Sequence, residues 1–308
     1  MENHKTIVNN KCPFCFEIAP KHLGFNPDFS NVSIYNCIRC NSIYSYPVPT
    51  EEELELVYKR DYREIRRESP NRLYLSTMIA RAKAQKELIM SHVVCRSRYL
   101  DIGSGAGTLL AEFQFDFQNL EAYEPDTIMF QESTKFLNSK TSIYNRICRV
   151  DELEDNKYDL ITLSHVFEHL PCPAEFLKSL LKKLSTSGII FIEVPNESVD
   201  IVKEQIYFNA KGLMHVNYFN RKSFLNVFGS FSEIIHIQEY GASNRLFRVV
   251  SPNRRGLFRY LYYKLFKLAP RLFSSIGMVN ILDRSEIIKN FSKVNHFGIY
   301  LRVILKRR

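Results

Sequence analysis

The chain has 308 residues, 45% of them hydrophobic, enough to bury a full core in one large domain with room for a small second one. Its net charge of +9 is uneven: from Ser251 onward there are 13 Lys or Arg against only Asp283 and Glu286, so the basic character belongs to the tail. The chain does not open on a basic start followed by an apolar run, and no stretch approaches the roughly 20 apolar residues of a membrane span, so export and integral membrane insertion are not expected and a cytoplasmic protein is.

Four of the seven cysteines form two pairs, Cys12-Pro-Phe-Cys15 and Cys37-Ile-Arg-Cys40, separated by 21 residues. Each Cys-x-x-Cys turn can present two sulfurs to one ion. Two such turns complete a closed tetrahedral site with no open position for chemistry, so residues 1–48 read as a zinc ribbon holding a structural Zn²⁺ through Cys12, Cys15, Cys37 and Cys40. The duplication and the aromatic strand between the pairs favour a metal over a redox couple or merely buried thiols. Two prolines in Tyr44-Ser-Tyr-Pro-Val-Pro-Thr50 then stop regular structure, and Thr50 with Glu53 has the form of a capping box. Residues 49–94 are expected to be helical, interrupted near Pro70, with Leu75, Met78 and Ile79 at helical spacing.

The stretch Arg98-Tyr-Leu-Asp-Ile-Gly-Ser-Gly-Ala-Gly-Thr-Leu-Leu110 reads as a strand, a tight turn and a helix start. Its Gly-x-Gly-x-Gly spacing is neither the dinucleotide fingerprint nor a P-loop. Leu100-Asp-Ile-Gly-Ser-Gly-Ala-Gly107 resembles motif I of the class I S-adenosylmethionine-dependent methyltransferases. Three further stretches match that family in order: Leu120-Glu-Ala-Tyr-Glu-Pro-Asp126, Tyr158–Leu170 and Ser187–Asn196. The resemblance implies a Rossmann-like α/β domain over 95–308, with a seven-stranded, mostly parallel sheet whose last strand is antiparallel. It implies S-adenosyl-L-methionine as cofactor, with Asp101, Gly103, Gly105, Gly107, Glu124 and Ser164 around it. Glu124 would accept hydrogen bonds from the ribose diol. Asp151 or Glu152, after a candidate strand Ile147–Val150, corresponds to the acid that meets the adenine amino group. A subset of the family that modifies sugars and polysaccharides carries the same ribbon and a linker helix that closes over the cofactor, which implies a sugar, nucleotide-sugar or glycan acceptor.

The loop Ser164-His-Val-Phe-Glu-His-Leu-Pro171 is where acceptor chemistry is expected, because a hydroxyl acceptor must lose a proton and imidazole suits that near neutral pH. His165 is the first candidate base and His169 the second. Glu168-His169 is also similar to a pair that accompanies a divalent metal in the ubiquinone-pathway O-methyltransferases. Those relatives carry a further acid where this chain has His165, a departure that argues against a metal mechanism. The Asn/Asp-Pro-Pro-Tyr/Phe signature of amino methylation is absent from this loop. Further on, Lys211–Asn220 resembles a family segment in which His215 and Tyr218 could line the acceptor site. A helix over 221–228 and strands over 231–240 and 295–305 are expected, the two strands adjacent and antiparallel.

Residues 251–294 then form an insertion between those strands. Within 254–272, Leu257, Phe258, Leu261, Tyr262, Leu265, Leu268 and Leu272 share one helical face, and Arg259, Lys264, Lys267 and Arg271 the other. Such a basic amphipathic helix suits an anionic membrane surface at the inner face of the membrane, an acidic acceptor, or capping of the domain and formation of a homodimer. Methylation of a sugar carbon, methylation of RNA and a cofactor-binding module without catalysis are the other readings. Nucleic acid is not the expected partner.

Overall fold

The computed structural model describes residues 11–17, 20–50, 72–138, 140–210, 213–240 and 300–308. The expected insertion at 251–294, its amphipathic helix over 254–272 and residues 51–71 of the expected helical linker lie outside them. Three short strands open the fold, β1 (Pro20–Phe25), β2 (Ser33–Cys37) and β3 (Ile43–Tyr46), followed by helix α1 (Arg72–Met90). Strands and helices then alternate: β4 (Arg98–Ile102), α2 (Thr108–Phe113), β5 (Asn119–Tyr123), α3 (Thr127–Ser133), β6 (Thr141–Tyr144), β7 (Tyr158–Ser164), α4 (Pro173–Lys183), β8 (Leu184–Pro195) and α5 (Val199–Tyr207). The two-residue β9 (Asn217–Tyr218), α6 (Arg221–Phe228), β10 (Glu233–Tyr240) and β11 (Tyr300–Lys306) complete it.

Seven strands form one sheet in the order β10-β11-β8-β7-β4-β5-β6. The β6-β5-β4-β7-β8 pairs are parallel, and β11 runs antiparallel between β8 and β10. The central strands are buried on both faces. Side chains of opposite parity therefore feed different cores: Ile190 and Ile192 pack on one face with Leu163 and α4, while Ile189 and Phe191 pack on the other with Tyr99, Leu110 and Phe113. The third parallel strand is Thr141–Tyr144, not Ile147–Val150. Thr141 and Ile143 turn inward and Ser142 and Tyr144 outward, the alternation of an edge strand, whereas Ile147 is exposed and 147–149 is a loop leading into a 3₁₀ turn at Val150–Glu152.

The four-cysteine segment does not stand apart. Its small antiparallel sheet runs β1-β2-β3-β9, so its fourth strand is contributed by the larger domain. Phe14, between the first two cysteines, packs edge-on against Tyr44, Phe219 and Phe228, 6.0 to 6.4 Å between ring centroids, inside the same core as β4, β7 and β8. Among the described residues, no helix is long and apolar enough to cross a membrane.

Candidate active site

The carboxyl ends of β4, β5 and β7 open into one crevice of about 1630 Å³, the place where open parallel sheets bind ligands, and Tyr300 at the start of β11 closes its far wall. The glycine loop forms its floor. Gly103 has φ +71°, and a Cβ there would stand 2.3 Å from Val166 Cγ2, so only glycine lets the β7 loop approach so closely. Gly105, at φ +55°, has open space where its Cβ would be, a gap that leaves its backbone accessible to a ligand. Gly107 plays another part: it lies behind the crevice as the N-cap of α2, where a Cβ would meet Ser133 at 2.8 Å.

Glu124, just past β5, is buried, and its carboxylate accepts hydrogen bonds from Gly105 N–H (2.6 Å) and Asp126 N–H (2.8 Å). One oxygen is thus tied to each side of the loop, and each keeps a lone pair for a donor in the crevice. Burial pushes its carboxyl up to about 7. Asp101, at the end of β4, accepts from Thr162 Oγ1 (2.6 Å) and is likewise pushed to about 7 by burial. Asp151 and Glu152 sit on the 3₁₀ turn at the crevice wall; Glu152 pairs with Arg146 at 2.7 Å, which leaves Asp151 the better candidate for a neutral amino donor. A loop open at Gly105, an acid held at its rim and a second acid beyond β6 fit an adenosyl cofactor.

Helix α1 covers the other flank. Gln85 donates to Ser164 Oγ (2.9 Å), and Met78 and Arg81 line the crevice. Arg81 pairs with the buried Glu193 of β8 and lies over the Tyr300 ring at 4.5 Å. Arg302, directly opposite Glu193 across the β8–β11 ladder, pairs with the same carboxylate and stacks on Tyr240 at 3.5 Å. Two guanidinium groups thus share one buried carboxylate and lock α1 onto the sheet; they hold Glu193 below the usual carboxylate range in spite of burial.

His165 stands at the tip of β7 with φ +59°, a left-handed conformation that costs a non-glycine residue about 1 kcal/mol or more. Its ring lies edge-on to Tyr300 at 5.2 Å, with Nδ1 3.1 Å from Glu168 Oε1 and Nε2 3.8 Å from Glu193 Oε1. Two acidic groups therefore flank an imidazole on the crevice wall: Glu193, kept ionised by Arg81 and Arg302, and Glu168, which burial pushes up to about 7. His169 also reaches the crevice, whereas His215 lies beneath it, 5.4 Å from His169 between ring centroids. The segment carrying His215 is held by the cysteine-bearing region: Asp28 accepts from Met214 N–H (2.6 Å), and Asn26 Nδ2 donates to His215 O (3.2 Å), Tyr218 Oη (3.3 Å) and Ser45 Oγ (2.9 Å).

The four cysteines lie together with Sγ to Sγ distances of 3.6 Å for Cys12–Cys40 and Cys15–Cys37, all four within 4.8 Å. Bonds of about 2.3 Å in a tetrahedron give sulfur–sulfur edges of about 3.8 Å, so the set fits one zinc ion and is too wide for disulfides.

A family profile described as a methyltransferase domain matches residues 62–231. The chain belongs to this family. The match assigns residues 62–231 to a methyltransferase domain, and the seven-stranded sheet gives it a Rossmann-like α/β fold. Among curated proteins, the ubiquinone biosynthesis O-methyltransferase of Neisseria meningitidis is 27% identical over 114 residues, which cover 34% of this chain and 47% of that one, so the chain spans about half the length of its curated relative. Distant likenesses among solved structures include an S-adenosylmethionine-dependent methyltransferase of Clostridium acetobutylicum (TM-score 0.45, 10% identity, 80% of this chain and 96% of that one). Another from Leishmania major has a TM-score of 0.41 at 18% identity, over 51% of this chain and 64% of that one.

Arg81, Gln85, Glu193, Glu197, Asn26 and Asp28 were not evident from sequence motifs. Glu193 and Arg302 did leave a signal, since each is a lone charge inside an otherwise apolar strand, Phe-Ile-Glu-Val and Leu-Arg-Val-Ile.

Proposed function

We propose that the protein transfers a methyl group from S-adenosylmethionine to a hydroxyl of a sugar, nucleotide-sugar or glycan, with a structural zinc ion on Cys12, Cys15, Cys37 and Cys40. The observation that carries this reading is the imidazole of His165 on the crevice wall, backed by Glu168 at 3.1 Å and beside the glycine loop. When bound, the cofactor supplies a sulfonium methyl whose C–S bond breaks as the acceptor oxygen bonds to the carbon. Glu124 accepts the ribose hydroxyls, Asp151 the adenine amino group, and the open backbone at Gly105 admits the cofactor. His165 takes the proton that the acceptor hydroxyl loses, and Glu168 stabilises the resulting imidazolium. Ser164, oriented by Gln85, bounds the space between the two ligands. The sugar class is supported by the resemblance to ribbon-bearing sugar methyltransferases.

The test is isothermal titration of zinc-loaded protein with S-adenosylmethionine and S-adenosylhomocysteine, followed by mass spectrometry of sugar-nucleotide and glycan panels. Binding of both cofactor forms and a gain of one methyl on a hydroxyl are expected. Folded protein that binds neither would end the reading, and a product methylated at carbon would move it to the C-methyl alternative.

A further inference from the structure

We infer that Glu168, His169 and His215 form a divalent-cation site beneath the acceptor side of the crevice. One ligand atom from each lies within 4.8 Å of the others, and all three residues are buried. The pair Glu168–His169 alone would not carry the inference. What completes it is His215, from a segment some 45 residues further on that is fastened to the same turn by Val216 N–H donating to Glu168 O (3.0 Å).

Both imidazoles are held as metal ligands are held. Nδ1 of His169 is 2.9 Å from the Met214 carbonyl, and Nδ1 of His215 is 3.0 Å from the Glu197 carboxylate, whose other oxygen accepts from Gln205 Nε2 (2.7 Å). A carbonyl or carboxylate on one ring nitrogen keeps the proton there and leaves Nε2 as the donor atom, the arrangement that orients histidines around a metal. Glu168 is 1% exposed, and its carboxylate has imidazoles on Oε1, His165 Nδ1 at 3.1 Å and His169 Nε2 at 3.9 Å, neither of them in good hydrogen-bonding geometry. A buried carboxylate with so little polar support is costly, and a cation on its inner side offsets that cost.

Two nitrogens and one carboxylate suit zinc, iron(II), cobalt(II) or manganese(II) rather than calcium or magnesium, and they leave coordination positions open. His169 faces the crevice, so an ion here is reachable from the acceptor side. On the proposed acceptor reading, a hydroxyl bound to the ion would lose its proton more readily to His165. The site itself does not depend on that reading.

Cobalt(II) is the probe, added to full-length protein whose cysteine site already holds zinc. One further cobalt per chain is expected, with weak d–d absorption and no thiolate charge-transfer band. Glu168→Gln and His215→Gln should each weaken binding by about a hundredfold or more, and Glu197→Gln by about tenfold to a hundredfold, as loss of an orienting partner does. Cobalt-edge X-ray absorption on the wild-type protein, which needs no variant to fold, should show nitrogen and oxygen neighbours without sulfur. No second ion bound at millimolar cobalt, sulfur neighbours, or binding unchanged in His215→Gln would overturn the site. Cofactor titration on the same samples keeps this outcome separate from the methyltransferase reading, because Glu124 is held by Gly105 and Asp126 on the β5 side and not by the proposed ligands.

Discussion

On the β5–β6 side of the crevice, the groups facing the ligand come from one stretch of chain, Asp101 to Glu152, and hold one another through short local bonds such as Glu124 to Gly105 and Asp126. On the β8 side Arg81, Gln85, His165, His169 and Tyr300 face the crevice and are backed by Asn26, Asp28, Glu193, Glu197 and Met214–Tyr218. The Glu124 to Gly105 bond is complete within one β-α-β unit. The distant assembly depends on every element that docks there, and the cysteine-bearing sheet is one of them. The two sides should therefore fail independently.

The largest effect is expected from emptying the proposed zinc site on the four cysteines, by chelation or Cys37→Ser, because structural zinc contributes on the order of 10 kcal/mol where folding and binding are one event. Hydrogen exchange should then rise steeply at 214–218 while amides of 101–105 stay protected. Equal loss of protection on both sides would erase the distinction. Next in size is Glu193→Ala, which leaves the guanidinium groups of Arg81 and Arg302 buried without their anion and should cost about 3–5 kcal/mol in denaturant unfolding. Replacing all three by apolar residues of similar volume should recover much of that loss; a single-variant cost under about 1 kcal/mol would show that α1 is held by something else.

Glu124→Ala probes the local side. Losing two charge-assisted hydrogen bonds to the ribose should weaken S-adenosylmethionine and S-adenosylhomocysteine alike by about a hundredfold, near 2.7 kcal/mol, with the acceptor-side amides unchanged. Titration within a few-fold of wild type would remove Glu124 from the cofactor site.

The same contrast explains what was legible in the sequence. The alternate glycines, the acid about 20 residues on and the apolar strands are local patterns, and the family resemblance they carry implies the seven-stranded sheet. Cys12, Cys15, Cys37 and Cys40 were legible as one cluster for the same reason, since two turns suffice to gather them. The place of β6 differs from the expected Ile147–Val150 because Thr141–Tyr144 is a polar edge strand, with less apolar character than the loop after it. Glu193 and Arg302 are lone charges in apolar runs, but their pairing depends on the antiparallel register Arg302↔Glu193, which no periodicity discloses. His215 could be picked as a residue; its burial and its bond to Glu197 are tertiary facts.

A smaller effect separates the two roles of the cofactor-side acids. Burial raises Asp101 from 3.8 and Glu124 from 4.5, each to about 7, so both bind a proton more tightly folded than unfolded. Their stabilising contribution is complete below about pH 4 and is lost as the pH rises through 7, because over that interval the folded state must give up protons that the unfolded state has already released. Cofactor affinity should run the other way. Only the ionised Glu124 offers its full accepting capacity to the ribose, so affinity rises with pH across the same interval. Thermal unfolding of the cofactor-free protein between pH 5 and 8 should thus show a falling midpoint, while titration with S-adenosylhomocysteine shows a tightening Kd. In Glu124→Gln, which cannot ionise, the affinity slope should vanish and the stability slope should shrink to the share left by Asp101 and the remaining groups. An affinity that still tightens with pH in Glu124→Gln would place the titrating group elsewhere, and Asp101 would be the first to change.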